Sequence, residues 1–312
     1  MYARLAEVIR SGFVESVHFG SVAALAPDGS LALTRGAVDE PMLPRSSAKP
    51  FQALACLEAG AALYGSRLAI AAGSHTGEDF HVALVRTMLE EAGLGPEALR
   101  CPADWPEDEA TRRAMITAGE DRARVRMNCS GKHAAMLMAC AAAGWDTASY
   151  LTASHPLQRR VRSVVQRLSG EKSAHTAVDG CGAPLFALSL TGLARAVRAL
   201  AIAPKDTPER AVADAMRSFP EYVGGTGHLN TELMRALPGS VVKGGAEGVL
   251  VAATPEGHAV AVKVIDGGPR ATSAIALATL AALGADITGA EAFTTVPVLG
   301  GGHPVGEIHP TL

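Results

Sequence analysis

Two β-hairpin patterns at opposite ends of the chain constrain its fold most. Residues 14–35 alternate apolar with small or polar residues around Pro27-Asp28-Gly29, and a second alternating pattern flanks Pro255-Glu256-Gly257. Alternation on both sides of a Pro/Gly turn is typical of two antiparallel strands with a tight connection. We expect the two hairpins to join in one antiparallel sheet, built from about residues 1–35 and 240–312.

Between the hairpins, apolar residues recur with the period of an amphipathic helix. Gly60, Gly93, Gly144 and Gly170 stand where such helices would end, in positions that favour a left-handed cap. We therefore predict a single α+β domain over residues 1–312, with a helical middle region and a site in the cleft between helices and sheet. The predicted helices are about 48–60, 80–93, 108–118, 132–143, 156–168, 185–200, 208–218 and 270–283, and the helical region is about 46–220.

The composition argues against several partners and locations. The chain has 312 residues, 48% hydrophobic and 19% charged, with a formal net charge of −3, so we expect no nucleic-acid partner. It contains no secretory apolar segment and no apolar run approaching about 18 residues, so we expect a cytoplasmic protein without a membrane partner. The five cysteines are odd in number and widely spaced, which argues against a disulfide framework.

A serine and a lysine three residues apart stand at the mouth of an apolar helix, in Arg45-Ser46-Ser47-Ala48-Lys49-Pro50. Pro50 places the helix start here, because proline is tolerated only in the first turn. Ser46 can act as a nucleophile if the Lys49 amine accepts its proton, and burial or a second cation must lower the pKa of that lysine. An N-cap serine followed by a surface lysine is the ordinary alternative.

Two further segments carry candidate groups for the same chemistry. GSHTGE follows the apolar run LAIAA, which we predict as a strand, so Ser74 could be a second nucleophile or a substrate donor and Glu78 could bind an ammonium. VVKGGAEG combines Lys243 with Gly244 and further glycines, which permit close approach of a ligand. The alternatives are a simple turn in the first segment and an exposed edge lysine in the second.

Two cysteines lie in polar segments that could hold a metal ion. Cys129 precedes Lys132 and His133 at the start of an apolar helix, and Cys181 lies between glycines after Asp179. Thiolate and nitrogen ligands suit zinc, with Lys132, His133 or Asp179 completing the shell. Because the spacing is not a known zinc signature, two buried thiols and a capping cluster remain alternatives.

The order of SxxK, a polar helix start and KGG on a strand matches that of SxxK, SDN and KTG in serine β-lactamases and penicillin-binding proteins. The chain as a whole resembles the class 3, rhizobial-type L-asparaginases, also called the asparaginase II family. The resemblance rests on VESVHFGSVA, RSSAKP, SHTGE, NCSGKHAAML, DGCGAP, KGGAEGV and DGGPRATSAI, in this order. It implies a serine β-lactamase-like fold, hydrolysis of L-asparagine to L-aspartate and ammonia, and a homodimer.

The resemblance also implies roles for individual residues. It implies two Ser-Lys tandems, Ser46 with Lys49 and Ser74 with Lys243, whereas Lys263 is a weaker match because no glycines surround it. It also implies a metal, usually zinc, near the substrate. The implied metal ligands are Cys129, Lys132 and Cys181, and the substrate-binding candidates are Arg45, His133, Asp179, Glu78 and Gly244.

These residues lead to a hypothesis of acyl transfer in two steps. Neutral Lys49 takes the proton of Ser46, which attacks the side-chain amide; ammonia leaves, and water then hydrolyses the acyl-enzyme. Backbone N–H groups near Ser46 and the KGG strand would stabilise the oxyanion, and zinc would aid substrate affinity more than it activates water. The alternatives are an SxxK amidohydrolase of glutamine, a peptide or a β-lactam, a cysteine nucleophile, and a non-catalytic zinc-binding protein.

Overall fold

The two ends of the chain meet in one antiparallel sheet. The computed structural model describes residues 1–312. Its strands are β1 (Ala3–Arg10), β2 (Phe13–Leu25), β3 (Leu31–Arg35), β4 (Thr176–Val178), β5 (Pro184–Phe186), β6 (Val241–Gly245), β7 (Val249–Ala253), β8 (Ala259–Val264), β9 (Val296–Gly300) and β10 (His303–Pro310). The eight-stranded sheet has the order β6-β7-β8-β2-β1-β10-β9, with β3 paired to β2, and β4 and β5 form a separate ribbon. The first strand of the chain therefore pairs with the last.

Both predicted hairpins are confirmed. β2 pairs with β3 across the turn that contains residues 27–29, and β7 pairs with β8 across the turn that contains residues 255–257. The hairpins join as expected, because β2 also pairs with β8, with Ala23 opposite Ala261. Every residue of β7 is buried, so both faces of the sheet are covered at this strand.

Most helices lie where the sequence predicts them. They are α1 (Lys49–Glu58), α2 (Gly65–Ala71), α3 (Asp79–Glu91), α4 (Glu109–Thr117), α5 (Ser130–Ala143), α6 (Pro156–Ser169), α7 (Leu190–Ala201), α8 (Pro208–Ser218), α9 (Pro220–Val223), α10 (Leu229–Ala236) and α11 (Thr272–Ala282). Gly60, Gly93, Gly144 and Gly170 are left-handed next to helix ends, as expected of αL caps. The predicted α+β class, with an antiparallel sheet and a helical middle region, is confirmed.

Two local predictions are wrong. The apolar run at residues 68–72 belongs to the end of α2 and not to a strand, because periodicity cannot separate a short buried helix from a short buried strand. The helix predicted at 185–200 begins only at α7, since β5 pairs with β4 before it. The Ser189 hydroxyl then caps α7 by accepting the N–H of Gly192 at 2.8 Å.

The packing of the helices leaves a cleft at one edge of the sheet. α7 and α11 both pack on β7 and β8, while α5 is buried from Ser130 to Cys140 among α1, α2 and α3. The turn Arg45–Ala48 packs on β6 at the sheet edge, which brings the start of α1 to the boundary between sheet and helices. None of the helices combines the length and apolarity needed to cross a membrane.

Candidate active site

The predicted nucleophile Ser46 lies in a tight turn that leads into α1. Arg45–Ala48 forms one turn of 3-10 helix, and Lys49 is the first residue of α1. Arg45 has a φ of 51°, a left-handed conformation that is strained for a residue with a side chain and is common at functional sites. The neighbouring Ser47 hydroxyl donates to the Pro44 carbonyl oxygen at 2.6 Å. Ser46 is therefore the serine of this pair whose hydroxyl is available for chemistry.

The second predicted serine, Ser74, lies between two lysine amines. It follows α2 in a loop whose backbone is fixed, because the Ser74 N–H donates to the Val223 carbonyl at 2.8 Å. Lys49 Nζ lies 2.8 Å and Lys243 Nζ lies 2.9 Å from Ser74 Oγ. The structure thus brings three of the four predicted catalytic side chains into contact, but Lys49 contacts Ser74 and not the Ser46 hydroxyl with which it was paired in the sequence.

The two amines lie close together in a buried site. Lys49 is 1% exposed and Lys243 is fully buried. Burial, and then the charge of Lys49, lower the pKa of Lys243 well below its ordinary value. Lys243 therefore gives up its own proton more readily than an exposed lysine does, and its amine is placed to accept a proton from Ser74.

A cavity of about 640 Å³ opens beside these groups. Ser46, Ser74, Lys243 and Gly244 line it, so both predicted serines face the same space. Its other polar lining residues are Glu107, Asn128, His228, Asn230, Glu247 and Thr272. A cavity of this size with a few convergent polar groups and a perturbed lysine is typical of a small-molecule site.

His228 is a neutral hydrogen-bonding group in this cavity. Its Nδ1 accepts the N–H of Asn230 at 3.1 Å, so the ring proton lies on Nε2. Burial, and then the charges of Lys243 and Lys49, lower the pKa of His228 to about 4. His228 therefore does not change its charge near neutral pH.

The glycines of β6 allow the strand to run against the Ser46 turn. A Cβ on Gly245 would lie 2.9 Å from the Pro44 carbonyl oxygen and 3.3 Å from the Ser46 nitrogen. The N–H groups of Ser46 and Ala246 donate to no acceptor within the protein. Both residues line the cavity, so two backbone donors are available to a bound oxygen atom.

The three predicted metal ligands form a buried cluster behind the cavity. Cys129, Lys132 and Cys181 are 4%, 1% and 1% exposed, and Lys132 Nζ lies 2.9 Å from Cys181 Sγ. A hydrogen bond from Cys129, together with the charge of Lys132, lowers the pKa of Cys181. Asn128 connects the cluster to the site, because its carbonyl lies 3.4 Å from Lys49 Nζ and its Oδ1 lies 3.1 Å from Cys129 Sγ.

This donor set fits zinc by its chemistry. Two sulfur atoms and a nitrogen are ligands that zinc accepts, and lysine can join them once it has lost its proton. His133 adds a buried Nε2 that has no hydrogen-bond partner, while its Nδ1 pairs with the Tyr150 hydroxyl at 2.7 Å. The protein has no group of three or more His, Cys, Asp or Glu side chains that could hold a metal ion. A metal at this cluster would therefore need Lys132 as one of its ligands.

The remaining predicted substrate-binding residues lie around the cavity. Arg45 Nε donates to Asp179 Oδ1 at 2.8 Å, and its Nη1 lies 3.6 Å from Glu247 on the cavity lining. Arg45 therefore connects the loop of Cys181 with the rim of the cavity. Asp179 itself approaches the cluster, since its Oδ2 lies 3.9 Å from Cys181 Sγ.

Like Arg45, His133 and Asp179, two further sequence candidates do not line the cavity. Glu78 accepts from Thr76 Oγ1 at 2.7 Å and from the Thr226 N–H at 2.9 Å, so it connects two loops. Its carboxylate does not line the cavity in which we expected it to bind an ammonium. Lys263 also does not line the cavity, and its amine donates to the Glu247 carbonyl oxygen. Its position agrees with the choice of Lys243 over Lys263 as the partner of Ser74.

Sequence reasoning missed Glu107 and Thr272. Glu107 precedes α4 in PADWPEDEA, a stretch with no glycine and no apolar run that would mark a catalytic loop. Thr272 is the first residue of α11, where a threonine is ordinary. Only the tertiary structure brings these residues to the cavity.

Comparisons with known proteins identify the family. No curated protein matches the chain significantly. Among solved structures, a β-lactamase from Mycobacterium bovis shares 16% identity over 85% of this chain and 94% of its own, with a TM-score of 0.48. Simvastatin synthase (LovD) from Aspergillus terreus shares 12% identity over 79% of this chain and 88% of its own, with a TM-score of 0.42. The sequence model described as L-asparaginase II matches residues 6–310, and the chain therefore belongs to the L-asparaginase II family.

Proposed function

We propose that this amidohydrolase is an L-asparaginase, which hydrolyses the side-chain amide of L-asparagine to L-aspartate and ammonia. The observation that carries the proposal is the Ser74 hydroxyl, which lies within 2.9 Å of both Lys49 and Lys243 in a cavity that Ser46 also lines. A serine becomes a nucleophile when a neutral base accepts its proton. Membership of the L-asparaginase II family supports the choice of an amide substrate.

The contacts support a proton relay that ends at Lys243. Lys243 is neutral at the start, because burial and the charge of Lys49 lower its pKa. It takes the Ser74 proton, Ser74 takes a proton from Lys49, and the uncharged Lys49 amine takes the proton of Ser46. The Lys49 amine contacts Ser74 in the structure, so this last transfer requires the amine to turn toward Ser46, three residues away at the helix start.

The reaction then follows an acyl-transfer sequence. Ser46 Oγ forms a bond to the amide carbon, and the Ser46 and Ala246 N–H groups donate to the oxyanion. The relay returns a proton to the amide nitrogen, the C–N bond breaks and ammonia leaves. Water attacks the resulting ester while the relay accepts its proton, and the C–O bond to Ser46 breaks to release L-aspartate.

Zinc, a homodimer and a cytoplasmic location complete the proposal. Cys129, Lys132 and Cys181 would hold the ion, which would supply a positive charge that favours binding and orientation of the substrate carboxylate. Asn128 and Lys49 connect these residues to the relay, so the order of the cluster also affects the catalytic side chains.

The experiment that tests the mechanism is intact-mass detection of a trapped acyl adduct. We expect an adduct in the wild type, none in Ser46→Ala, and slower formation in Ser74→Ala because the relay is broken. An adduct that persists in Ser46→Ala would assign the nucleophile to Ser74, a role that its contacts with both amines also permit.

Substrate assays test the activity itself. Ammonia release from L-asparagine is expected to exceed release from L-glutamine, with a chromogenic β-lactam as the control for a penicillin-recognising enzyme. Iodoacetamide in the presence and absence of L-asparagine tests the cysteine alternative. Cys129 and Cys181 do not line the cavity, so we expect no protection of a catalytic thiol by substrate.

A further inference from the structure

Glu107 is a cavity acid to which neither the sequence motifs nor the relay assign a role. It lines the cavity together with Ser46, Ser74 and Lys243. Its segment is held to the Ser74 loop, because the Asp108 N–H donates to the Thr76 carbonyl at 3.0 Å. The position of Glu107 relative to the reacting serines is therefore set by the same loop that positions Ser74.

The Glu107 carboxylate has one neutral partner and no cation. Its Oε1 accepts from Asn128 Nδ2 at 2.6 Å, and neither oxygen is within ion-pair distance of a lysine, arginine or histidine. The other acid on the cavity lining, Glu247, differs because Arg45 lies 3.6 Å from it. Glu107 thus offers an oriented negative charge to a cation in the cavity.

We propose that Glu107 binds the α-ammonium group of the substrate and so selects amides of α-amino acids over amides that lack the amino group. The inference rests on the proposed asparaginase function and names the group that recognises one end of its substrate. An ammonium and a carboxylate form a charge-assisted hydrogen bond, which is stronger than a neutral one. Asn128 fixes the carboxylate on one side and contacts Lys49 through its carbonyl, so recognition and the relay share one framework.

Binding of the ammonium has a further electrostatic consequence. The negative charge of Glu107 favours the protonated form of Lys243, although burial and Lys49 outweigh this effect. An ammonium paired with Glu107 offsets that charge. Lys243 is then more readily uncharged when an amino-acid substrate is bound than when the cavity is empty.

The test compares L-asparagine with succinamate, which has the same amide and carboxylate but no amino group. The wild type is expected to prefer L-asparagine, and Glu107→Gln is expected to lose on the order of 10- to 100-fold in kcat/KM for L-asparagine, mainly through KM. The side-chain oxygen of glutamine can still accept the hydrogen bond from Asn128 Nδ2, so the loop that carries residue 107 should remain in place. For succinamate, kcat/KM should not fall, because this substrate has no ammonium to lose and the removed charge only favoured the protonated form of Lys243. The matched control is Glu109→Gln, an exposed acid two residues away that pairs with Arg113.

Three results would overturn the inference. Equal losses for both substrates in Glu107→Gln would mean that the residue acts on the lysines or on the loop, and unchanged kinetics would make it a surface acid. A wild type that prefers succinamate would also exclude an ammonium subsite. If the wild type releases ammonia from neither amide, the asparaginase proposal fails, but calorimetry still tests the subsite. Glu107→Gln should then weaken L-aspartate binding and leave succinate binding unchanged.

Discussion

At the scale of single residues, the site depends on a lysine that the fold holds in an unfavourable state. Lys243 is fully buried on β6, and its amine contacts a hydroxyl and its neighbour's carbonyl, with no carboxylate within ion-pair distance. Transfer of an ammonium into such surroundings is costly, so the group loses its proton instead. The property that makes Lys243 a base therefore also makes it a source of instability.

Lys243→Met is expected to stabilise the fold while it removes activity. Because the native pKa is lowered, the unfolded state binds more protons at every pH between that value and 10.5, and stability rises with pH over this range. Methionine does not ionise, so the variant lacks this pH dependence. The increase in Tm of Lys243→Met over the wild type, measured by thermal unfolding, should therefore be larger at pH 7 than at pH 10. We expect kcat to fall by about 10²–10⁴-fold, the usual contribution of a positioned base.

Lys263→Met is the control for this prediction. Lys263 lies on β8 outside the cavity, and its amine contacts a backbone carbonyl, so wild-type kcat/KM should be retained. An equal change in Tm at both pH values for Lys243→Met would show that Lys243 is charged in the native protein. In a pH profile of the wild type, we expect the acid limb to report the proposed relay and not His228, whose pKa of about 4 lies too low.

At the scale of secondary-structure elements, the site is an edge contact between a strand and a helix start. β6 is the terminal strand of the sheet, and its glycines lie against the turn Arg45–Ala48. The same strand supplies Lys243, and the residue after it supplies the Ala246 N–H. The distance between the proposed nucleophile, Ser46, and the proposed oxyanion donors therefore depends on how closely this strand approaches the turn.

Gly245→Val is expected to displace the Ser46 turn without unfolding the protein. The added Cβ would lie 2.9 Å from the Pro44 carbonyl oxygen, and a backbone atom cannot move aside as a side-chain tip can. A shift of about 1 Å at a reacting group lowers rates on the order of 100-fold. We expect a loss of this size in kcat/KM, measured by ammonia release from L-asparagine.

Gly119→Ala separates this effect from simple destabilisation. Gly119 follows α4 at a φ of 71°, with no atom within 4 Å of an added Cβ, so alanine costs about 1 kcal/mol through backbone strain alone. Its kcat/KM should stay at the wild-type value. A folded Gly245→Val with unchanged kcat/KM would mean that the approach of β6 does not position Ser46.

At the scale of the whole molecule, the sequence predicts those features that depend on local chemistry. Alternation around two turns predicts both hairpins, and glycines predict the helix ends. Pro50 predicts that a helix starts close to it, and α1 begins at Lys49, one residue before the proline. The order of the motifs predicts which segments meet, and the structure does bring Ser46, Ser74 and Lys243 to one cavity.

The sequence does not predict which side chains contact each other within that cavity. Ser46 and Lys49 are three residues apart, yet the buried Lys49 amine contacts Ser74, 25 positions away, and the Asn128 carbonyl. Glu78 has the local context of a ligand-binding acid but connects two loops, whereas Glu107 has no such context and lines the cavity. These choices depend on packing between distant segments, which no local pattern contains.

Removal of metal should affect the site and leave the fold intact. The buried apolar residues form one core cluster of 82 residues, and Cys129 and Cys181 are only two of them, so the core should hold the fold together without an ion between these thiols. After chelation, circular dichroism should show cooperative unfolding with Tm lower by only a few degrees. KM for L-asparagine should rise more than kcat falls, because the cluster lies behind the cavity and not among the reacting groups.

Two cysteine variants make this last prediction specific. Cys181→Ser should lose bound zinc, measured by elemental mass spectrometry, because sulfur at this position contacts Lys132. Cys101→Ser should keep zinc, since the Cys101 thiol donates its hydrogen bond to the Arg124 carbonyl and not to a member of the cluster. Unfolding of the wild type on chelation would support a structural zinc protein instead, and equal changes in kcat and KM would mean that the metal takes part in turnover. Zinc retained by Cys181→Ser would remove the ion from this cluster altogether.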